Sequence, residues 1–153
     1  MTRSDDKHNV LVKIVSQQTS DVGDDTSEVI TTGLLTLLDD GAFRLEYDEI
    51  LGEDSAKMTC RSKITAGNDG VILFERFGPY MTRMLFEPDK RYTSAYITPY
   101  GELSFGIYTK TAIAERDALA AAIRLEYTID NGGELISKNA MTIKTKKRKT
   151  VAD

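Results

Sequence analysis

The sequence predicts an all-β protein built as an up-and-down antiparallel meander, with a two-sheet β-sandwich as the alternative. Short segments of alternating apolar and polar residues recur along the chain, turn-forming clusters separate them, and no helical pattern is long enough to cover a sheet. The stretch Tyr80 to Lys110 shows this best, because Glu87-Pro-Asp-Lys90 and Thr98-Pro-Tyr-Gly101 break it into short alternating runs.

The first strand is expected over Asn9 to Gln18, where Val10, Val12 and Ile14 share one face. A polar connection from Thr19 to Thr26 precedes Glu28 to Leu38, a run rich in β-branched and aliphatic residues. Asp39-Asp-Gly41 supplies a tight hairpin signal. The return strand sets Phe43, Leu45 and Tyr47 against Arg44, Glu46 and Asp48, one face for a core and one for water. Ala56 to Ile64 alternates in the same way and closes in Gly67-Asn-Asp-Gly70. Val71 to Phe77, Tyr80 to Phe86, Arg91 to Thr98 and Glu102 to Thr111 follow at meander spacing, with Gly106 marking a bend or the close approach of another group. Thr111 to Ala122 is ambiguous between strand, loop and short helix, because Ala118-Leu-Ala-Ala-Ala122 favours helix. Alternation resumes by Ile123, and Asn131-Gly-Gly133 turns the chain into a last strand, Leu135 to Thr145. About ten strands joined in order by short turns remove their edges most simply by closing into a barrel.

A chain of 153 residues and 17.0 kDa suits one domain. Its expected limits are 9–145, between a flexible N-terminus over 1–8 and a basic tail over 146–153. The single Cys60 cannot form an internal disulfide, and Met1 to His8 lacks the apolar core of a secretory signal, so the expected compartment is the reducing cytoplasm. No apolar run approaches the roughly 20 residues that span a bilayer, so no membrane partner is expected. A net charge of −4 argues against nucleic-acid binding over the whole surface. The exception is Lys144-Thr-Lys-Lys-Arg-Lys149, which reads as a solvated tail or as an arm for RNA or an acidic partner. Homo-oligomerisation is compatible with all of this.

No catalytic or cofactor signature stands out. One histidine, His8, and one cysteine make a zinc site untenable, and no phosphate-binding glycine loop opens a helix. Cys60 reads as a small core residue. The carboxylates Glu46 and Asp48 face water, while Glu49, Glu53 and Asp54 fall in the loop that follows. An in-barrel acid such as Glu75 would be needed for hydrolase or isomerase chemistry, and the sequence supplies no partner for it.

The charges between Val71 and Leu85 are more telling. In Val71 to Phe77 each face carries one charge, so either Glu75 or Arg76 points inward, and Arg83 between Met81 and Leu85 raises the same question. An inward charge is costly unless paired, hydrated or met by a ligand. Thr98-Pro-Tyr-Gly101 reads as a precise corner, with Gly101 at the positive φ of a type II turn and Tyr100 capping the barrel end or standing at a cavity mouth.

Tyr92-Thr-Ser-Ala-Tyr-Ile-Thr-Pro-Tyr-Gly101, Ile30-Thr-Thr-Gly33, Tyr47-Asp-Glu49, Arg76-Phe-Gly78, Met84-Leu-Phe86 and Ser137-Lys-Asn139 together resemble the YwiB-like family of uncharacterised bacterial proteins. The resemblance covers roughly Val10 to Lys144 and implies a calycin-like β-barrel, related in architecture to lipocalins and fatty-acid-binding proteins. It implies no established activity. The expected role is therefore non-enzymatic binding, without cofactor or metal, of a small amphipathic or anionic molecule. Arg76 and Arg83 are its candidate charge anchors, and Tyr47, Tyr96 and Tyr100 its polar-tipped wall or rim residues. The alternative is a solid-cored protein- or RNA-interaction module.

Overall fold

The computed structural model describes residues 6–51 and 57–148. They form ten antiparallel strands: β1 (Asp6–Ser20), β2 (Gly23–Leu37), β3 (Phe43–Leu51), β4 (Met58–Ala66), β5 (Ile72–Phe77), β6 (Met81–Phe86), β7 (Arg91–Thr98), β8 (Gly101–Arg116), β9 (Ala121–Asn131) and β10 (Glu134–Lys147). Each strand pairs with its sequence neighbours, and β1 pairs with β10 from Val10↔Lys147 to Ser20↔Ser137, so the meander closes into a barrel. The barrel, not the sandwich, is the architecture.

Alternation selects the inner face. Val10, Val12, Leu35, Phe43, Leu45, Ile64, Ile72, Phe86, Ile107, Ile123 and Ile143 are buried together, while Arg44, Lys63 and Arg124 stand between them on the outside. This apolar layer lies toward the end that carries both described chain ends and the turns at Asp39–Gly41, 67–71, 87–90 and 117–120. The opposite, distal end carries the Ser20–Gly23 hairpin and the turns at 78–80, 99–100 and 132–133.

Several local expectations are corrected. The polar connection Thr19 to Thr26 is mostly strand: β1 and β2 pair through to Ser20↔Gly23, leaving only Asp21 and Val22 as a turn. Both sides of this hairpin tip face water, so backbone pairing forms there without an apolar stripe to announce it. Asp39–Gly41 makes a 3₁₀ turn, with Leu38 N–H donating to Ala42 O at 2.9 Å, in place of a two-residue hairpin. The ambiguous stretch 111–122 contains no helix. β8 runs to Arg116, and the Asp117 carboxylate accepts from Leu119 N–H and Ala120 N–H at 2.7 and 2.8 Å, an Asx turn that returns the chain at Ala121. Strand also extends beyond 9–145: Asp6 to His8 pair with β2, and Lys146 and Lys147 pair with β1. The remainder of the expected flexible N-terminus, Met1 to Asp5, and of the basic tail, Lys149 to Asp153, lies outside the described residues.

Two departures from uniform pairing shape the wall. β3 pairs with β2 only from Phe43 to Tyr47, opposite Leu37 to Gly33. Beyond that point β2 from Gly23 to Thr32 continues with β1 and β3 from Asp48 to Leu51 continues with β4, so the wall splits between them. Between β6 and β7 the register holds for just Met81↔Ile97 and Thr82↔Tyr96. Side chains bridge this seam instead: Thr82 Oγ1 donates to Ala95 O at 2.9 Å and Ser94 Oγ donates to Arg83 O at 2.7 Å.

Candidate functional site

The inner face changes character toward the distal end. Register places Tyr47 beside Ser62, Ser62 beside Arg76, Arg76 beside Thr82 and Thr82 beside Tyr96, one polar row crossing β3 to β7. Three of the five sequence-expected residues, Tyr47, Arg76 and Tyr96, therefore lie on one line inside the barrel. Each arrives by parity: Tyr47 follows Phe43 and Leu45, Arg76 follows Ile72 and Phe74, and Tyr96 follows Tyr92 and Ser94.

The other two lie elsewhere. Arg83 is on the outer face, its side chain 73% exposed, with Nε 3.8 Å from Glu75, which is also outside. Parity decides this, because Thr82, Met84 and Phe86 take the inner positions of β6. Glu75 thus has no place in the interior. Tyr100 is 82% exposed in its turn and does not pack over the barrel end. That corner is made by Thr98, whose Oγ1 accepts from Tyr100 N–H and donates to Gly101 O, with Gly101 at φ 135°.

Sequence reasoning assigned Glu49 to a loop. It is instead the inward residue of β3 after Tyr47, and Arg76 Nη2 donates to its two oxygens at 3.2 and 3.3 Å. Ser62 Oγ also donates to Glu49 Oε1. The signal was available, since Glu49 shares the parity of Phe43, Leu45 and Tyr47. Glu46 and Asp48 do face outward and are held by Arg44 and Arg61, while Glu53 and Asp54 lie outside the described residues. Cys60 is 1% exposed, its thiol directed at Tyr80 O.

The pair of Glu49 and Arg76 is only about a fifth or less exposed, so its charges largely compensate each other in a partly dry setting. The guanidinium lies over the Phe74 ring at 5.2 Å. Its Nε is buried and has no hydrogen-bond partner. Burial pushes the Tyr47 phenol well above its usual range, with the Glu49 charge adding to the effect and Arg76 and a hydrogen bond with Ser62 opposing it. Burial likewise pushes Tyr127 up to about 12 against the opposing influence of Arg76. Both phenols are neutral donors at physiological pH. Tyr96 lies between Tyr80 and Phe105, its ring centroid 6.2 and 6.5 Å from theirs. Among the described residues no group of three or more His, Cys, Asp or Glu is placed to hold a metal ion. Nor is any helix there long and apolar enough to cross a membrane.

The arrangement offers an apolar floor, the phenols of Tyr47 and Tyr96, and one guanidinium with an unused N–H, while the Ser62 and Thr82 hydroxyl protons are already given to Glu49 and Ala95 O. The split between β2 and β3 lies beside it, because Glu49 is on the part of β3 that β2 has left.

Comparison with known proteins agrees with this architecture. A family profile described as a domain of unknown function, DUF1934, matches residues 12–143. The crystal structure of the ywiB protein from Bacillus subtilis superposes with a TM-score of 0.77 over 94% of this chain and 94% of that chain, at 17% identity, a likeness of fold. No curated protein matches.

Proposed function

The chain belongs to the DUF1934 family of domains of unknown function, and from that premise we propose that its barrel binds a small amphipathic molecule with an anionic head group. The observation that carries this reading is the buried Nε–H of Arg76 without an acceptor. An unmet buried donor costs roughly 1–3 kcal/mol, and an anionic oxygen supplies the acceptor while the Glu49 contact is kept. Tyr47, Ser62 and Tyr96 flank that position in the same row, and apolar residues lie beneath it. This is the division of labour of calycin-type carriers, an apolar interior with a few fixed polar groups. A buried Cys60 suits a protein of the reducing cytoplasm.

The test uses 1-anilinonaphthalene-8-sulfonate, an amphipathic anion whose fluorescence rises on leaving water. Arg76→Met alone would strand the Glu49 carboxylate, so the informative variant is Arg76→Met with Glu49→Met, checked for fold by circular dichroism. Saturable one-site binding to the wild type, weakened about tenfold or more in the folded double variant, supports the reading. Absence of saturable binding, or equal binding by both proteins, would sink it.

A further inference from the structure

The basic run at the end of the sequence is, in its described part, one piece of a larger pattern. Lys144 and Lys146 alternate with buried Ile143 and Thr145, so they stand on the outer face of β10, where Lys138 precedes them. Register adds cations from neighbouring strands. Lys13 of β1 lies directly opposite Lys144, and Arg124 of β9 lies opposite Thr142. Lys110 of β8 is the extra residue of the bulge between Thr109 and Thr111, which turns it outward. Six cations thus share the outside of β1, β10, β9 and β8, on a protein whose net charge is −4.

Their environment separates them from an ordinary solvated face. Among the described residues, Lys110, Lys138, Lys144 and Lys146 form no ion pair, while Lys13 reaches Glu28 at 3.6 Å and Arg124 reaches Glu126 at 3.4 Å. Directly opposed like charges, as at Lys13 and Lys144, oppose strand pairing, so the fold tolerates a cost that a polyanion would relieve. Between β8 and β10 the surface also sinks into a groove of about 430 Å³ lined by Tyr108, Lys110, Glu126, Thr128 and Lys138. The Glu126 carboxylate there is already engaged by Thr111 Oγ1 at 2.8 Å and by Arg124. Tyr108 is 39% exposed, and its hydroxyl donates to Asp89.

We propose that this face binds single-stranded nucleic acid, with Lys110, Lys138, Lys144 and Lys146 on phosphates and the Tyr108 ring as a stacking surface beside them. Lys138 to Lys146 span eight residues of one strand, about 27 Å at roughly 3.4 Å per residue. Such a line suits a backbone tracked by point charges, and the aromatic ring beside two unpaired lysines favours a base-bearing chain over an acidic peptide. Contacts to phosphate and to the flat face of a base imply little sequence preference.

A fluorescein-labelled oligouridylate of twenty nucleotides, followed by anisotropy between 50 and 200 mM salt, tests the assignment. With four to six phosphates neutralised, the slope of log K against log salt is expected at about −3 to −4, and the triple variant Lys110→Gln, Lys138→Gln, Lys144→Gln should lose about two units of that slope. Tyr108→Leu should weaken binding roughly tenfold. A chain ending at Arg148 should bind as the full chain does. Absence of saturable binding at 50 mM salt, a slope the triple variant leaves unchanged, or loss of binding on removing residues 149–153 would each overturn the proposal. Equally tight binding of polyglutamate would overturn it too, by assigning the face to an acidic polypeptide.

Discussion

Gly106 shows how a single missing side chain can be a packing requirement. Its position is buried on β8 opposite Thr93, and a Cβ built there would lie 2.1 Å from Arg91 Nη2. That guanidinium is not free to move away. Its Nε and Nη2 donate to the two Asp130 oxygens at 3.0 and 2.5 Å, a bidentate clamp across β7, β8 and β9 that holds the Asp130 carboxyl below its usual range. Replacing glycine by alanine in a strand ordinarily favours folding by restricting the unfolded chain, but here the clash decides the sign. Gly106→Ala is expected to lower the thermal midpoint by roughly 3–6 °C, and to cost less when made in an Arg91→Ala background than in the wild type, both read by calorimetry. The buried tyrosines are expected to set the alkaline limit of the fold. Tyr127 has its pKa raised from 10.0 to about 12, and Tyr47 is raised further, both by burial. A phenol whose pKa is higher folded than unfolded contributes stability that is complete below pH 10 and is lost as pH rises toward and through the folded value. Urea midpoints should therefore fall above pH 10, and Tyr127→Phe should make that fall shallower; an unchanged slope would show that Tyr127 ionises without unfolding the protein.

At the scale of the strand, the weakest wall is the seam between β6 and β7, where two hydroxyls replace much of a ladder. Thr82→Val keeps the shape of the side chain but withdraws the donor to Ala95 O, so it should cost about 1–3 kcal/mol in denaturant unfolding. Amides of Arg83 to Leu85 should also exchange faster in that variant, whereas those of β9 should not. Whether such elements could be read from the chain depended on burial. Strands with one buried face, such as Phe43 to Tyr47 or Ile123 to Leu125, announce themselves by alternation. The tip of the β1–β2 hairpin does not, because residues 23–30 are exposed on both faces and only backbone bonds define them. The turn after Arg116 was hidden for another reason: alanines favour helix locally, but the carboxylate of Asp117 captures two N–H groups and the barrel draws Ala121 inward. The candidate site followed the same logic. Tyr47 is legible from parity, as is Glu49 two residues on, whereas parity offers Glu75 and Arg76 equally and only the paired neighbours of β5 turn Arg76 inward. Arg83 takes the outer side because apolar residues stand on both faces of this short strand, Met81 and Leu85 beside it and Met84 and Phe86 opposite, so its buried side is undecided until its neighbours are known. The basic face was beyond reach, since it needs the register of β8, β9 and β10 and the closure that brings Lys13 of β1 opposite Lys144.

For the whole molecule, closure is the step that topology makes expensive. Nine of the ten ladders join consecutive strands, while β1 and β10 must find each other across nearly the full chain and set eleven residue pairs in register. Non-local pairing of this kind slows folding because loop entropy is lost before the contacts form. The described chain ends are nonetheless neighbours, since Arg148 N–H donates to Asn9 O at 3.1 Å. Joining the termini and opening the chain within the turn at Asp89 and Lys90 would convert the β1–β10 ladder into a local connection. It would leave only the β6–β7 seam, with its two registered pairs, to be closed from a distance. The permutant should therefore fold faster than the natural order, by up to about tenfold in stopped-flow refolding, although it loses the Lys90 N–H bond to Glu87 O and so some stability. Opening the chain instead at Asp21 and Val22 makes the fifteen-pair β1–β2 ladder the non-local one and should slow folding. Equal rates for the two permutants would mean that closure of the barrel comes after the folding barrier, and that the nucleus lies within the apolar layer formed by consecutive hairpins.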